Sequence, residues 1–181
     1  MKKKRMGCFF FFLLILIISF ASLYQWKARY EKNLEKTPLP TKLNETVAQN
    51  RDILVDKAAD KGILIVITAD FRSFSEQNKL YAKGRTEEGT IVTNAQGGES
   101  YHNYGLAIDF ALLDVNGQVI WDMKYDGNGN GKSDWMEVVG IAKSLGFEWG
   151  GDWKSFKDYP HLQMNFGLSI GDLQKGKRTD P

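Results

Sequence analysis

The chain has 181 residues, of which 43% are hydrophobic and 25% charged, usage that excludes a wholly disordered chain, a collagen and a coiled-coil rod. Its net charge of +2 divides into +6 over residues 1–36 and −4 over the rest, so the body is mildly acidic and no nucleic-acid partner is expected. The single cysteine, Cys8, excludes an intrachain disulfide framework.

In chain order, the first feature is basic: Lys2, Lys3, Lys4 and Arg5 precede an apolar run from Cys8 to Tyr24. As a helix this run is about 26 Å long, close to the roughly 30 Å hydrocarbon core of a bilayer, with Trp26 placed to finish it at the interface. Basic residues ahead of such a run keep the start of the chain in the cytoplasm, so the polypeptide beyond the run is exported. Residues 1–24 read as a basic stub and transmembrane anchor. The competing reading is a signal peptide cut after Ala21, with Ser19 and Ala21 at the −3 and −1 positions, which would make the protein secreted. The anchor is preferred because the run continues past that cut and no A-x-A is present. Residues 25–42 are charged, carry Pro38 and Pro40, and read as a linker; the domain covers 43–181.

LNETVAQNRDILVDKAADKG predicts a helix with Leu43, Val47, Leu54 and Ala58 near one face and Gly62 ending it. ILIVIT (63–68) reads as a buried strand. A second helix starts at Ser73, with Glu76 completing a capping box, and stops at Gly84. LAIDFALLD (106–114) and QVIWDM (118–123) flank Asn116-Gly117 and predict a hairpin. DWMEVVGIAKSLG is a third helix closed by Gly146, and HLQMNF (161–166) a last strand. The tail after Phe166 reads as a short helix or a frayed end. The fold class is α+β: a small, mostly antiparallel sheet with flanking helices.

The domain has two histidines, His102 in SYHNYGLAIDF and His161 in DYPHLQM. A hydrolytic zinc site needs three protein ligands and one open position. Two imidazoles and one carboxylate meet that need and leave the ion electrophilic. On a strand, Asp109 shares a face with Ala107, opposite Ile108 and Phe110; His161, Gln163 and Asn165 likewise share a face. Neighbouring strands could thus present Asp109 and His161 to one ion, with His102 folding back from the preceding loop and Gly105 and Ala107 leaving it room. Residue spacing alone leaves two alternatives open. Both histidines could be ordinary hydrogen-bonded residues, or Ser100, His102 and Asp109 a triad, although no nucleophile elbow surrounds Ser100. HExxH is absent, which excludes the zincin helix site.

These residues resemble a known family, the VanY-like zinc peptidases of the D-Ala-D-Ala carboxypeptidase and dipeptidase group, and most nearly its L-alanyl-D-glutamate endopeptidase branch. The family pattern S-x-H-x-x-G-x-A-x-D is met by Ser100, His102, Gly105, Ala107 and Asp109, and its acidic residue three before a histidine by Asp158 and His161. An upstream element is met by Phe71, Arg72 and Ser73, then Gln77, Leu80 and Tyr81, then Gly84, Arg85 and Thr86. The resemblance covers about residues 43–166 and implies zinc at the sheet face, held by His102, Asp109 and His161. It implies Asp158 as general base, with Asp152 the rival; Asp152 is read as structural. It implies Arg72 as stabiliser of the oxyanion or holder of a substrate carboxylate, and Gln77 and Ser100 as weaker substrate hydrogen-bonders.

The implied activity is hydrolysis of the L-Ala–D-Glu bond in the stem peptides of bacterial cell-wall peptidoglycan, by a monomer. The alternatives are a D-Ala-D-Ala carboxypeptidase or dipeptidase, and a non-catalytic wall-binding module on the same fold. A third is a calcium-dependent adhesive domain, because DGNGNGKSDWME matches a calcium-loop pattern through Asp126, Asn128, Asn130, Gly131, Asp134 and Glu137. The competing reading there is a plain Asp/Asn/Gly loop, with Asp134 and Glu137 capping the next helix.

Overall fold

A computed structural model describes residues 3–34 and 37–179; Lys2, residues 35–36 of the linker and the last two residues of the domain lie outside the described residues, as do the side chains of 3–11 and 30–34. Helix α1 (Lys3–Leu34) continues past Tyr24 into the charged residues expected as linker. Among the described residues Phe12–Arg29 is the one stretch long and apolar enough to cross a membrane.

The domain is a second compact unit that begins at Leu39. Helix α2 (Glu45–Ala59) is capped by Asn44, whose side chain accepts from the N–H groups of Thr46 and Val47. Its buried residues are Val47, Leu54 and Ala58, as the periodicity predicts. Gly62, at φ +74°, turns the chain into strand β1 (Leu64–Ala69), and helix α3 (Phe74–Ala82) comes next with the predicted Ser73–Glu76 capping box. The remaining elements are β2 (Ala107–Leu113), β3 (Val119–Ile120), α4 (Asp134–Ser144), β4 (Glu148–Trp149), β5 (His161–Gln163) and α5 (Ile170–Gln174).

The sheet is antiparallel throughout, in the order β1-β2-β5-β4, with β3 paired to the far end of β2. Strand β2 is central, and its two faces do different work. Ile108, Phe110 and Leu112 are fully buried in the core with Leu54 of α2 and Val138 of α4. Trp135 of α4 lies against Phe110, ring centroids 4.7 Å apart. Each such buried side chain contributes roughly 1.5–3 kcal/mol by leaving water. Asp109 points from the other face, as strand alternation requires.

Several elements differ from the sequence reading. The hairpin exists, but its loop is not a two-residue Asn-Gly turn: Gly117 is at φ +77° while Asn116 has no positive φ, and Asp114 pairs backbone with Gln118. The Asp114 carboxylate accepts from the N–H groups of Asn116 and Gln118, which selects a three-residue loop. QVIWDM yields only the two-residue β3, because Asp122 takes the Lys124 N–H and turns the chain away. The last strand stops at Gln163, where Phe166 (φ +51°) and Gly167 (φ +77°) reverse the chain. The tail forms the short helix α5, with Leu173 buried. Gly105 makes room for a different neighbour than expected: a Cβ there would collide with the Lys42 carbonyl oxygen, not with His102.

Gly105 and Gly117 therefore make a controlled pair, since both have positive φ and only Gly105 is crowded. Gly117→Ala is expected to cost about 1 kcal/mol from backbone strain alone, and Gly105→Ala about 2–3 kcal/mol because the Lys42–Asn44 segment must also move. Denaturant unfolding of the two variants measures the difference.

Candidate functional site

The site lies on the polar face of the sheet, where β2 and β5 run side by side. Asp109 and His161 are direct cross-strand partners in the ladder. This places their side chains on one face, as the alternation of each strand predicts. His102 comes from a 3-10 turn, Tyr101–Tyr104, just before β2. The Ser100 side chain caps that turn by accepting from the His102 N–H. Gly105, left-handed, closes it, and the Leu106 N–H returns to the Tyr101 carbonyl.

A bulge in β1 completes the arrangement. The ladder slips between Ile67 and Ala69, leaving Thr68 unpaired beside the site. The chain beyond it then presents the Asp70 carbonyl oxygen 2.7 Å from His102 Nδ1. The Arg72 N–H donates to the His102 carbonyl, and Asn103 Nδ2 donates to the Arg72 carbonyl. Segment 70–72 and the 3-10 turn are thus locked together.

Three ligand-type atoms meet at the centre. His102 Nε2 is 3.2 Å from Asp109 Oδ1 and 3.2 Å from His161 Nδ1, and His161 Nδ1 is 3.3 Å from Asp109 Oδ1. Both rings are buried. A tetrahedral ion with bonds of about 2.0–2.1 Å needs ligands about 3.3 Å apart, which is this triangle. The outer hydrogen bonds set the tautomers. A carbonyl oxygen only accepts, so His102 Nδ1 carries a proton toward Asp70 and Nε2 offers its lone pair. Gln163 Nε2 donates to Glu148, so its amide oxygen faces His161 Nε2 at 3.0 Å and takes that proton, leaving Nδ1 as the acceptor. Three acceptors facing one another require a cation or a proton between them. The donor set fits zinc: two imidazoles, one carboxylate and a cleft on the open side.

Electrostatics agree. Burial pushes the Asp109 carboxyl up, but the two imidazoles more than offset it and hold the group well below the ordinary carboxylate range. Burial works against a charged His161, yet the Asp109 contact outweighs it and raises His161 above the ordinary imidazole value.

The other candidates fall into two groups. Asp158 lines the same cleft, and burial raises its carboxyl above the ordinary range. Gly150 allows this placement, since a Cβ there would collide with the Asp158 carbonyl and lie 3.2 Å from the His161 Cβ. Arg72 also lines the cleft, with its guanidinium 3.9 Å from Asp109 Oδ2. Ser100 is at the cleft wall with its Oγ on the His102 main-chain N–H, while the His102 ring nitrogens meet Asp70, Asp109 and His161, so no Ser-His-Asp hydrogen-bond relay is present among the described residues. Gln77, expected as a weaker substrate hydrogen-bonder, is 0% exposed and sits behind Arg72 instead of lining the cleft. Its amide oxygen accepts from Arg72 Nη1 at 2.9 Å, and its nitrogen donates to Thr93 and Ala95. Asp152 is exposed and paired with Lys143 at 2.7 Å, away from the cleft.

The cleft has a volume of about 1010 Å³. Trp121, Trp153, Phe156, Ile91 and Val92 form its apolar walls, and Trp153 lies against the His161 ring, centroids 5.1 Å apart. Sequence reasoning did not single out these walls, nor Asp70, Glu148 and Gln163 as supports. Only Gln163 left a signal, by sharing a strand face with His161.

Residues 93–164 match a family described as D-alanyl-D-alanine carboxypeptidase. The chain is 61% identical over 153 residues to the peptidoglycan L-alanyl-D-glutamate endopeptidase CwlK of Bacillus subtilis, covering 84% of this chain and 90% of that protein. It is 34% identical over 128 residues to the L-alanyl-D-glutamate peptidase of Listeria phage A118, covering 70% of this chain and 40% of that protein. Among solved structures, the L,D-carboxypeptidase DacB of Streptococcus pneumoniae is 20% identical with a TM-score of 0.51, over 78% of this chain and 82% of that one, which is a likeness of fold.

Equilibrium dialysis against Zn2+ is expected to load one ion per wild-type chain and none in His161→Ala. Protons compete for the raised His161, so apparent affinity should begin to fall at a pH above the ordinary imidazole value of about 6.5.

Proposed function

The chain belongs to the D-alanyl-D-alanine carboxypeptidase family of peptidases and is a peptidoglycan L-alanyl-D-glutamate endopeptidase, and on that premise we propose that it works with zinc held by His102, Asp109 and His161. The observation that carries the proposal is the convergence of His102 Nε2, His161 Nδ1 and Asp109 Oδ1, three acceptors with their outer positions already committed. Zinc, when bound there, supplies Lewis-acid polarisation of the scissile carbonyl and of water.

The chain's own residues do the rest. Asp158 is the general base: it takes a proton from the attacking water and delivers it to the departing amine of D-Glu. Its raised pKa suits both halves of that task, because a stronger base accepts the proton more readily and its acid form still donates. Arg72 faces the same cleft and stabilises negative charge, on the developing oxyanion or on a substrate carboxylate. Gln77 holds Arg72 in place and is a positioning residue. Ser100 caps the turn that carries His102 and offers a weaker hydrogen bond to substrate. The aromatic walls accommodate the flat faces and methyl groups of a stem peptide.

The substrate is the L-Ala–D-Glu bond of peptidoglycan stem peptides. Helix α1 is proposed as an anchor that keeps the domain on the outer side of the cell membrane, where that polymer lies; cleavage after Ala21 would instead release it to the wall. The domain is proposed to act as a monomer.

Asp158→Asn is expected to retain zinc and lose at least about 100-fold in kcat, while Arg72→Ala loses about 100-fold or more in kcat/KM and Arg72→Lys recovers part of it. The readout is the appearance of free D-Glu amino termini from a defined muropeptide. An Asp158→Asn enzyme of normal rate would move the base role elsewhere.

A further inference from the structure

One motif takes no part in the hydrolytic site. The segment Asp126–Glu137 is wrapped into a tight loop at the start of α4, and its oxygen-bearing side chains turn inward. Asp126 Oδ1 and Oδ2 accept from the N–H groups of Asn130 and Gly131. Gly131, at φ +80°, makes the sharp turn. Asn128 and Asn130 both direct their side chains at Glu137 Oε2, at 3.3 and 2.7 Å. The helix is capped by Ser133, which accepts from Met136 N–H, so the Asp134–Glu137 capping box expected as the competing explanation does not form. Glu137 is instead turned back over the loop.

An independent observation points to a ligand. Asp134 is only 2% exposed, and its Oδ1 has no hydrogen-bond partner, while its Oδ2 accepts from the Gly127 N–H inside the loop. Leaving a buried carboxylate oxygen unpaired is costly, and native proteins almost always satisfy such an atom with a partner or an ion.

We propose that the Asp126–Glu137 loop is a calcium site, with ligands from Asp126, Asn128, Asn130, the Lys132 carbonyl, Asp134 and Glu137. Six oxygen positions at the spacing 1, 3, 5, 7, 9 and 12 suit a hard cation of flexible geometry, whereas Mg2+ demands a stricter octahedron and keeps its water. Two of the ligands are neutral amides, and Lys61 sits 3.0 Å from Glu137, so affinity falls in the weak, extracellular class. The site bears on the cleft through α4. Trp135, next to Asp134, packs on Phe110 beside Asp109 and on the cleft residue Trp121, at 4.7 and 6.3 Å between ring centroids. The site is a brace for the wall of the active-site cleft, independent of the zinc assignment.

The test uses the full chain in detergent micelles, freed of divalent ions on a chelating resin and reloaded with one equivalent of Zn2+. Millimolar CaCl2 should raise the melting temperature by several degrees and give a saturable heat in titration calorimetry. MgCl2, and NaCl at matched ionic strength, should do neither. Asp134→Asn and Glu137→Gln should both lose the calcium response. Glu137→Gln keeps an acceptor for Lys61 and stands alone as the test where Asp134→Asn fails to fold. Absence of shift and heat in the wild type, an equal response to NaCl, or a calcium response retained in Glu137→Gln would each overturn the proposal.

Discussion

Three lone pairs from unlike residues point at one another across about 3.2 Å, and much of this domain exists to keep them there. Left alone, two neutral imidazoles and a carboxylate would not choose this arrangement. They would rotate so that an N–H met each acceptor. The Asp70 carbonyl and the Gln163 amide oxygen prevent that by taking the ring protons on the outer sides. Those supports are themselves fixed, Asp70 by the bulge at the end of β1 and Gln163 by Glu148 on the edge strand. The frustration at the centre is thereby built in, and a cation relieves it.

The sheet serves this geometry by separating its two faces. Strand β2 buries Ile108, Phe110 and Leu112 on one side and presents Asp109 on the other. The core behind it, from Leu54, Val138 and Trp135, fixes the strand's position without touching the chemistry. Direct pairing of Asp109 with His161 then fixes one edge of the ligand triangle by ladder register alone. A one-residue slip of β5 would turn His161 into the core and put Leu162 at the site. The short β4 and the Trp149 Nε1 bond to the Tyr159 carbonyl oppose that slip.

The parts visible in the sequence were those set by local periodicity. The α2 face, the Ser73 capping box and the shared face of Asp109 and His161 all stem from spacing within a few residues. The family pattern added Asp158 and Arg72 to the two histidines and Asp109. The hidden parts are set by contacts distant in sequence or by backbone groups. No side-chain pattern announces that the Asp70 carbonyl will orient His102, 32 residues away. Gln77 shows the same limit from the other side: its complete burial against Arg72, Thr93 and Ala95 depends on contacts that the motif itself does not carry. The shortened β3 and β5 fail for a local reason, since Asp122 and Asn165 side chains take backbone N–H groups that a longer strand would need.

Arg72 ties these levels together. Its main chain is locked to the His102 turn by two hydrogen bonds, its guanidinium is held by Gln77, and the same guanidinium approaches the outer oxygen of Asp109. Gln77 in turn belongs to α3, whose start is fixed by the Ser73–Glu76 box. One capped helix therefore helps set the position of the Arg72 guanidinium relative to the ligand triangle, through a hydrogen bond to an uncharged amide outside that triangle. A charged group anchored in this way keeps its place while charge develops on a substrate. Electrostatic stabilisation without reorganisation requires that property, and a freely rotating surface arginine could not supply it.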